Sequence, residues 1–263
     1  MRVITYYFSG TGNTEWACQT LQRDFSNRGV TCLLRNIEKC KPRDMKDLKI
    51  GDILCFAFPV YAANIPPIMR DFIKRLAECL PVNTVFLYSV LTTFGYADGC
   101  GPFQVAKMLK GKRVSLVGYE GLRIASNTPS KHHVIMERMK LRLEKAHHKI
   151  NALATNIATG NIHIASGPYR FAFFRKLAVR SLVQASSHLT IDKTRCVQCR
   201  HCVDNCPTKS ITINEDKTSL FANSCTGCMR CFNNCPEGAI LYDEKYLPPE
   251  RYQRYNQMPN DYV

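Results

Sequence analysis

Eight of the 14 cysteines fall between positions 196 and 235, in two copies of one pattern. Cys196-x2-Cys199-x2-Cys202-x3-Cys206-Pro207 returns 29 residues later as Cys225-x2-Cys228-x2-Cys231-x3-Cys235-Pro236, and the same offset lays Ile211 on Ile240. A disulfide framework is one reading of such a cluster. It conflicts with the N-terminus, whose apolar stretch is too short for a secretory signal and leaves the chain expected in the reducing cytoplasm. A structural zinc pair is another. Zinc needs only two Cys-x2-Cys knuckles, so the third cysteine at regular spacing and the Cys-Pro step would be superfluous. Three thiolates of one loop can instead take three corners of an iron–sulfur cubane, with the fourth supplied by the other repeat. The expected sets are Cys196, Cys199, Cys202 and Cys235, and Cys225, Cys228, Cys231 and Cys206. The proline after each fourth cysteine fixes φ and turns the chain away.

The other six cysteines (Cys18, Cys32, Cys40, Cys55, Cys79 and Cys100) are scattered over the first hundred residues and read as small apolar side chains. That region has a different rhythm. Apolar runs at 2–8, 30–35, 52–60, 84–90 and 113–119 alternate with helical spacing at 13–28, from Pro67 onward, and at 101–109. Strands alternating with helices predict a parallel, doubly wound sheet, whose ligands bind beyond the carboxyl ends of the strands. Ser9-Gly10-Thr11-Gly12-Asn13-Thr14 lies at such an end, between the first strand and the first helix. Glycines there let successive amides turn inward, the helix start adds its positive end, and three hydroxyls can donate to phosphate. No Gly-Lys-Ser/Thr follows, and Glu15 stands where a dinucleotide loop has its third glycine. A monophosphate suits such a loop best.

Charge divides the chain into three. The formal total is +15, from 36 Lys+Arg against 21 Asp+Glu. Residues 1–122 carry 16 basic against 10 acidic side chains, 123–188 carry 11 against 2 with six of the seven histidines, and 189–263 carry 9 against 9. This pattern predicts two domains joined by a basic connecting region. Within that region 131–158 reads as one long polar helix. Residues 169–183 read as a basic amphipathic stretch, with Phe171, Phe174, Ala178 and Leu182 on one face and Arg175, Lys176 and Arg180 elsewhere. It would pack the domains together, or dock on a membrane surface or a partner. The 246–263 tail has no periodicity. No run of 18 apolar residues occurs, which excludes a spanning helix.

The strand–Ser-Gly-Thr-Gly-Asn-Thr–helix unit resembles the FMN phosphate loop of the flavodoxin family, over about residues 1–122. The resemblance implies an isoalloxazine ring between Pro59-Val60-Tyr61-Ala62-Ala63-Asn64 and Thr92-Thr93-Phe94-Gly95-Tyr96. Tyr61 would stack on the ring, with Asn64 and the backbone of 93–95 at its edge. Trp16 belongs to the first helix rather than to either loop. Residues 189–242 resemble bacterial two-cluster ferredoxins. Together these are similar to the flavodoxin–ferredoxin fusion proteins of anaerobes, many of which carry Met-Pro-x-Asn-Tyr after the fifth strand. Here Ile124-Ala125-Ser126-Asn127-Thr128-Pro129 stands in that place.

The expected fold is α/β: a flavodoxin-like doubly wound sheet (1–122), a basic helical connector (123–188), a small α+β bacterial ferredoxin-like domain (189–245) and a tail (246–263). The resemblance implies FMN, two 4Fe-4S clusters, and electron transfer that couples one- and two-electron partners. The alternative is an FMN-dependent reductase of a small molecule, with Tyr96, His132 or His133 as proton sources. Redox sensing on nucleic acid is disfavoured, because no recognition motif accompanies the charge. About +9 remains after the cofactor charges are counted, which favours acidic redox partners or an anionic lipid surface.

Overall fold

The computed structural model describes residues 1–41, 47–81, 83–95, 98, 101–124, 127, 136–165, 187–217, 219–222 and 224–243. Its first part runs β1 (Arg2–Tyr7), α1 (Asn13–Ser26), β2 (Thr31–Asn36), β3 (Asp52–Pro59), α2 (Pro67–Cys79), β4 (Phe86–Phe94), α3 (Phe103–Met108), β5 (Val114–Arg123), α4 (Met136–Ala158) and β6 (His163–Ile164). The strands pair in the order β2-β1-β3-β4-β5-β6, and every pair is parallel. The 2-1-3-4-5 order is that of the flavodoxin-like doubly wound fold, and it reverses direction between β1 and β3. β3 is buried along all but its last residue, as its unbroken apolar run requires of a strand covered on both faces.

Helices α1 and α4 cover one face. Trp16, Leu21 and Phe25 meet Ile150, Leu153 and Ile157 over Val3, Cys55 and Leu91. Helices α2 and α3 cover the other, with Met69, Phe72, Leu76 and Val105 on Ile4, Phe56 and Val90. Cys18, Cys32 and Cys55 are buried in the first of these cores, as expected of small apolar side chains.

The expected boundary at 122 falls too early. α4 buries Leu143, Ala146, Ile150, Leu153, Ala154 and Ile157 against the sheet layer, and β6 extends the sheet beside β5. Buried Glu120 ties both on, taking Lys149 Nζ at 2.8 Å and standing 3.1 Å from His163 Nε2. The surplus of basic residues there marks the solvated side of a core helix, and charge alone cannot separate that from a connector. The 169–183 stretch, the tail, Tyr96, His132 and His133 lie outside the described residues. No described helix is long and apolar enough to cross a membrane.

The second part is small: β7 (Leu189–Ile191), α5 (His201–Asp204), β8 (Ile211–Ile213), β9 (Ser219–Phe221), α6 (Arg230–Asn234) and β10 (Ile240–Tyr242). β7 pairs antiparallel with β10, and β8 with β9. The sequence duplication is also a backbone duplication. Left-handed residues fall at Gln198, Arg200 and Lys209 and, 29 positions on, at Gly227, Met229 and Gly238. Leu189, Ile211, Met229, Phe232 and Ile240 make the core between the two cysteine loops.

Candidate functional site

Each cysteine loop bends through left-handed residues between its thiols, and its cysteines line one hollow. The first hollow, about 340 Å³ of empty space, is lined by Cys196, Cys199, Cys202 and Cys235, with Ile191, Ile213, Ala239 and Ile240 as walls. The second, about 330 Å³, is lined by Cys225, Cys228, Cys231 and Cys206, with Leu189, Ile211, Phe221 and Met229 around them. The fourth cysteine of each repeat therefore stands with the three of the other.

Backbone amides already aim at the sulfurs. Ser210 N donates to Cys206 Sγ at 3.3 Å, Gly227 N to Cys225 Sγ at 3.4 Å, and Ala239 N to Cys235 Sγ at 3.2 Å. Such bonds stabilise thiolate charge and tune an iron–sulfur potential. Thr226 Oγ1, between Cys225 and Cys228, is buried without a hydrogen-bond partner. An unmet hydroxyl in a hollow of four thiols fits a group with acceptor sulfurs of its own. Burial pushes the Cys228 thiol up to about 11 and raises Cys202, Cys225 and Cys231 as well. Metal insertion must then release these protons. Four soft thiols in an apolar hollow with amides at the sulfurs are a donor set that fits a 4Fe-4S cluster.

At the carboxyl end of the sheet, the three loops expected around a flavin come together. Thr14 Oγ1 lies 2.8 Å from Thr93 Oγ1, and Val60 N donates to Thr93 O at 2.8 Å. Thr92 bonds buried Asp98, which also holds Tyr119 and so fixes the base of the Phe94-Gly95 turn. In the first loop, Ser9 Oγ accepts from Gly12 N at 3.1 Å and Glu15 N at 3.3 Å. Gly12 is left-handed, with φ 105°, and caps α1 with no side-chain bond. The 14-residue helix thus starts with its positive end uncapped by its N-cap residue and flanked by Thr11, Asn13 and Thr14, an arrangement that fits a phosphate. Ala62 and Ala63 turn through positive φ, and Asn64 closes that turn by donating to Ala62 O at 2.7 Å.

Tyr61 departs from expectation. Its ring is 7% exposed and belongs to the core cluster that also takes in Cys228. Burial holds its hydroxyl well above the ordinary value, and that oxygen has no hydrogen-bond partner. A Cβ added to Gly10 would strike the Tyr61 hydroxyl and stand 2.9 Å from Cys228 O. Tyr61 therefore supports the second cysteine loop and offers no open face to a ring; Phe94 and Gly95 stay half-buried at the rim.

The residues that sequence reasoning missed form the contact between the two parts. Arg230 donates to Ser9 O, Gly10 O and Asn205 O and pairs with Glu38 at 2.6 Å. Asn127 Nδ2 reaches Thr11 Oγ1 and Cys228 O, both at 3.1 Å, and its carbonyl accepts from Asn233. The sequence hints are two departures: Arg230 stands where the first repeat has His201, and Asn127 lies in the 124–129 stretch that replaces Met-Pro-x-Asn-Tyr.

Residues 188–245 match the family described as a 4Fe-4S dicluster domain. No curated protein sequence matches the chain. Among solved structures, an archaeal flavodoxin aligns with 14% identity and a TM-score of 0.44, over 61% of this chain and 98% of that one. The flavodoxin of Megasphaera elsdenii aligns with 16% identity and a TM-score of 0.41, over 58% and 98%. The rubredoxin oxygen:oxidoreductase of Desulfovibrio gigas aligns with 17% identity and a TM-score of 0.43, over 60% of this chain and 35% of that one. The fold assignment rests on strand order and connectivity. On that topology the first part has the flavodoxin-like α/β strand order, and residues 188–245 are similar to the 4Fe-4S dicluster family.

Proposed function

We propose that the chain is a cytoplasmic electron-transfer protein that binds FMN at the 9–14 loop and one 4Fe-4S cluster in each cysteine hollow, linking one-electron to two-electron partners. The observation that carries this reading is the pair of four-cysteine hollows, the second of them built on a loop packed against Ser9 and Gly10. When bound, the clusters exchange single electrons and the flavin one or two.

The chain's own part is positional. Ser9, Thr11, Thr14 and the amides at the start of α1 receive the phosphate. The Phe94-Gly95 rim receives the ring edge. The eight cysteines hold the irons, and the amides of Ser210, Gly227 and Ala239 set the charge on three of the sulfurs. Apolar side chains wall both hollows, and the first keeps an exposed rim at Val197 and Cys199. The formal +15 favours acidic protein partners.

Anaerobic reconstitution of the full chain tests the reading. Assays of iron, sulfide and flavin should give about eight irons and one FMN per chain, and a dithionite titration about four electrons. Zinc retained against iron, or iron bound without any FMN, overturns the corresponding half.

A further inference from the structure

The two cysteine sets do not stand alike towards the phosphate loop. Cys228 is packed in the core beside Tyr61, its carbonyl accepts from Asn127, and its close neighbour is Gly10. Cys199 is exposed and Val197 beside it is 62% exposed, on the first hollow. Arg230, between Cys228 and Cys231, spends its whole guanidinium on this seat. Nε takes Gly10 O at 3.0 Å, Nη2 takes Ser9 O at 2.7 Å, and Nη1 takes Asn205 O, next to Cys206, at 3.0 Å. The fork also pairs with Glu38 and lies over Phe8, 5.9 Å from the ring centroid. A planar fork with fixed donors can hold this many acceptors in one geometry, which an ammonium cannot.

We infer that Arg230 is a positioning residue that seats the Cys225–Cys228–Cys231 loop on the phosphate loop. This orders the two iron–sulfur sites. The Cys206/Cys225/Cys228/Cys231 set is proximal to the flavin phosphate, and the Cys196/Cys199/Cys202/Cys235 set is distal, with its exposed rim open to an outside one-electron donor protein. The inference rests on the reading of FMN at the 9–14 loop. With both groups bound, this seat would serve a single-electron transfer from the Cys206/Cys225/Cys228/Cys231 site to the group held by the 9–14 loop, with one electron leaving the first and entering the second and no bond in the protein formed or broken. Tyr61, packed against Gly10, and Asn127, which bonds Thr11 Oγ1 and Cys228 O, complete the seat.

Two measurements on the cluster-loaded full chain test it. The first is phosphorus NMR of bound FMN, with binding established separately by equilibrium dialysis. Reduced clusters are paramagnetic, so the proximal one should broaden the phosphate line. The broadening should persist in Cys196→Ala/Cys199→Ala and weaken in Arg230→Ala and Asn127→Ala. FMN bound with an equally narrow line in reduced and oxidised protein overturns the order of the sites and leaves the FMN reading intact. The second measurement needs no flavin: deuterium exchange at the amides of residues 9–12. Loss of the charge-assisted bonds should speed that exchange about tenfold in Arg230→Ala, with Arg230→Lys between and α4 unchanged. Equal exchange in wild type and Arg230→Ala overturns the seat. A failure to bind FMN overturns only the reading beneath it, and the exchange result then decides the role of Arg230 by itself.

Discussion

Arg2 and Asp52 show what one pair can do where two neighbouring parallel strands begin. Two guanidinium bonds, of 2.8 and 2.6 Å, and the Lys49 amide at 2.7 Å converge on a carboxylate that is 4% exposed. Burial alone would push the Asp52 carboxyl up, but the bonds from Arg2 and Lys49 outweigh it, and the net shift is downward. A lowered folded value means the native state binds this proton less readily than the unfolded chain does. The stabilisation is therefore full above the unfolded value of about 3.9 and is lost as pH falls through the folded one. Asp52→Asn should cost about 1–3 kcal/mol near neutral pH and flatten the acid limb, which urea midpoints at pH 7 and pH 3 will show. Equal losses at both pH values would remove the pair from the account. The cysteines and the residues of the 9–14 loop could be singled out one by one, because their spacing is itself the signal. Asp52 and Arg2 could not, since 50 residues separate them and only β1–β3 register brings them together.

Among the elements, α4 is the one whose role the sequence misstated. Its apolar positions recur at helical spacing, but the basic side chains around them suggested a connector. Packing decides otherwise: Leu153 and Ile157 close so tightly on β5 that a Cβ at Gly118 would meet them at 2.8 and 3.0 Å. Ile150→Ala should then cost about 2–5 kcal/mol, the range for a buried large-to-small change, without lowering the iron content of the 188–245 domain. A connector helix would lose less than about 1 kcal/mol, and chemical denaturation followed by tryptophan fluorescence separates the two. Trp16 is the single tryptophan and packs in the same cluster as Ile150, so the signal reports on that core. The short elements of the second domain were predictable in kind because the repeat prescribes them twice. Their pairing was not, for β7 joins β10 across the whole domain.

Across the whole molecule, the surplus of 15 positive charges is a long-range property. Association with an acidic one-electron carrier should slow by about tenfold or more between about 0.01 and 0.1 M salt, as the Debye length contracts from about 30 to about 10 Å. Stopped-flow mixing at several ionic strengths measures it, and a flat profile would exclude steering by net charge. The sequence alone determined the two-part construction, the duplicated cysteine loops and the glycine-bearing loop between β1 and α1. Each of these is written in local spacing, which survives without knowledge of the fold. Only the tertiary structure decided that Tyr61 faces a cysteine loop, that α4 belongs to the sheet, and that Arg230 grips backbone 220 residues away. Those contacts depend on where two surfaces meet. A carbonyl of Ser9 or Gly10 carries no side-chain identity for a sequence to advertise.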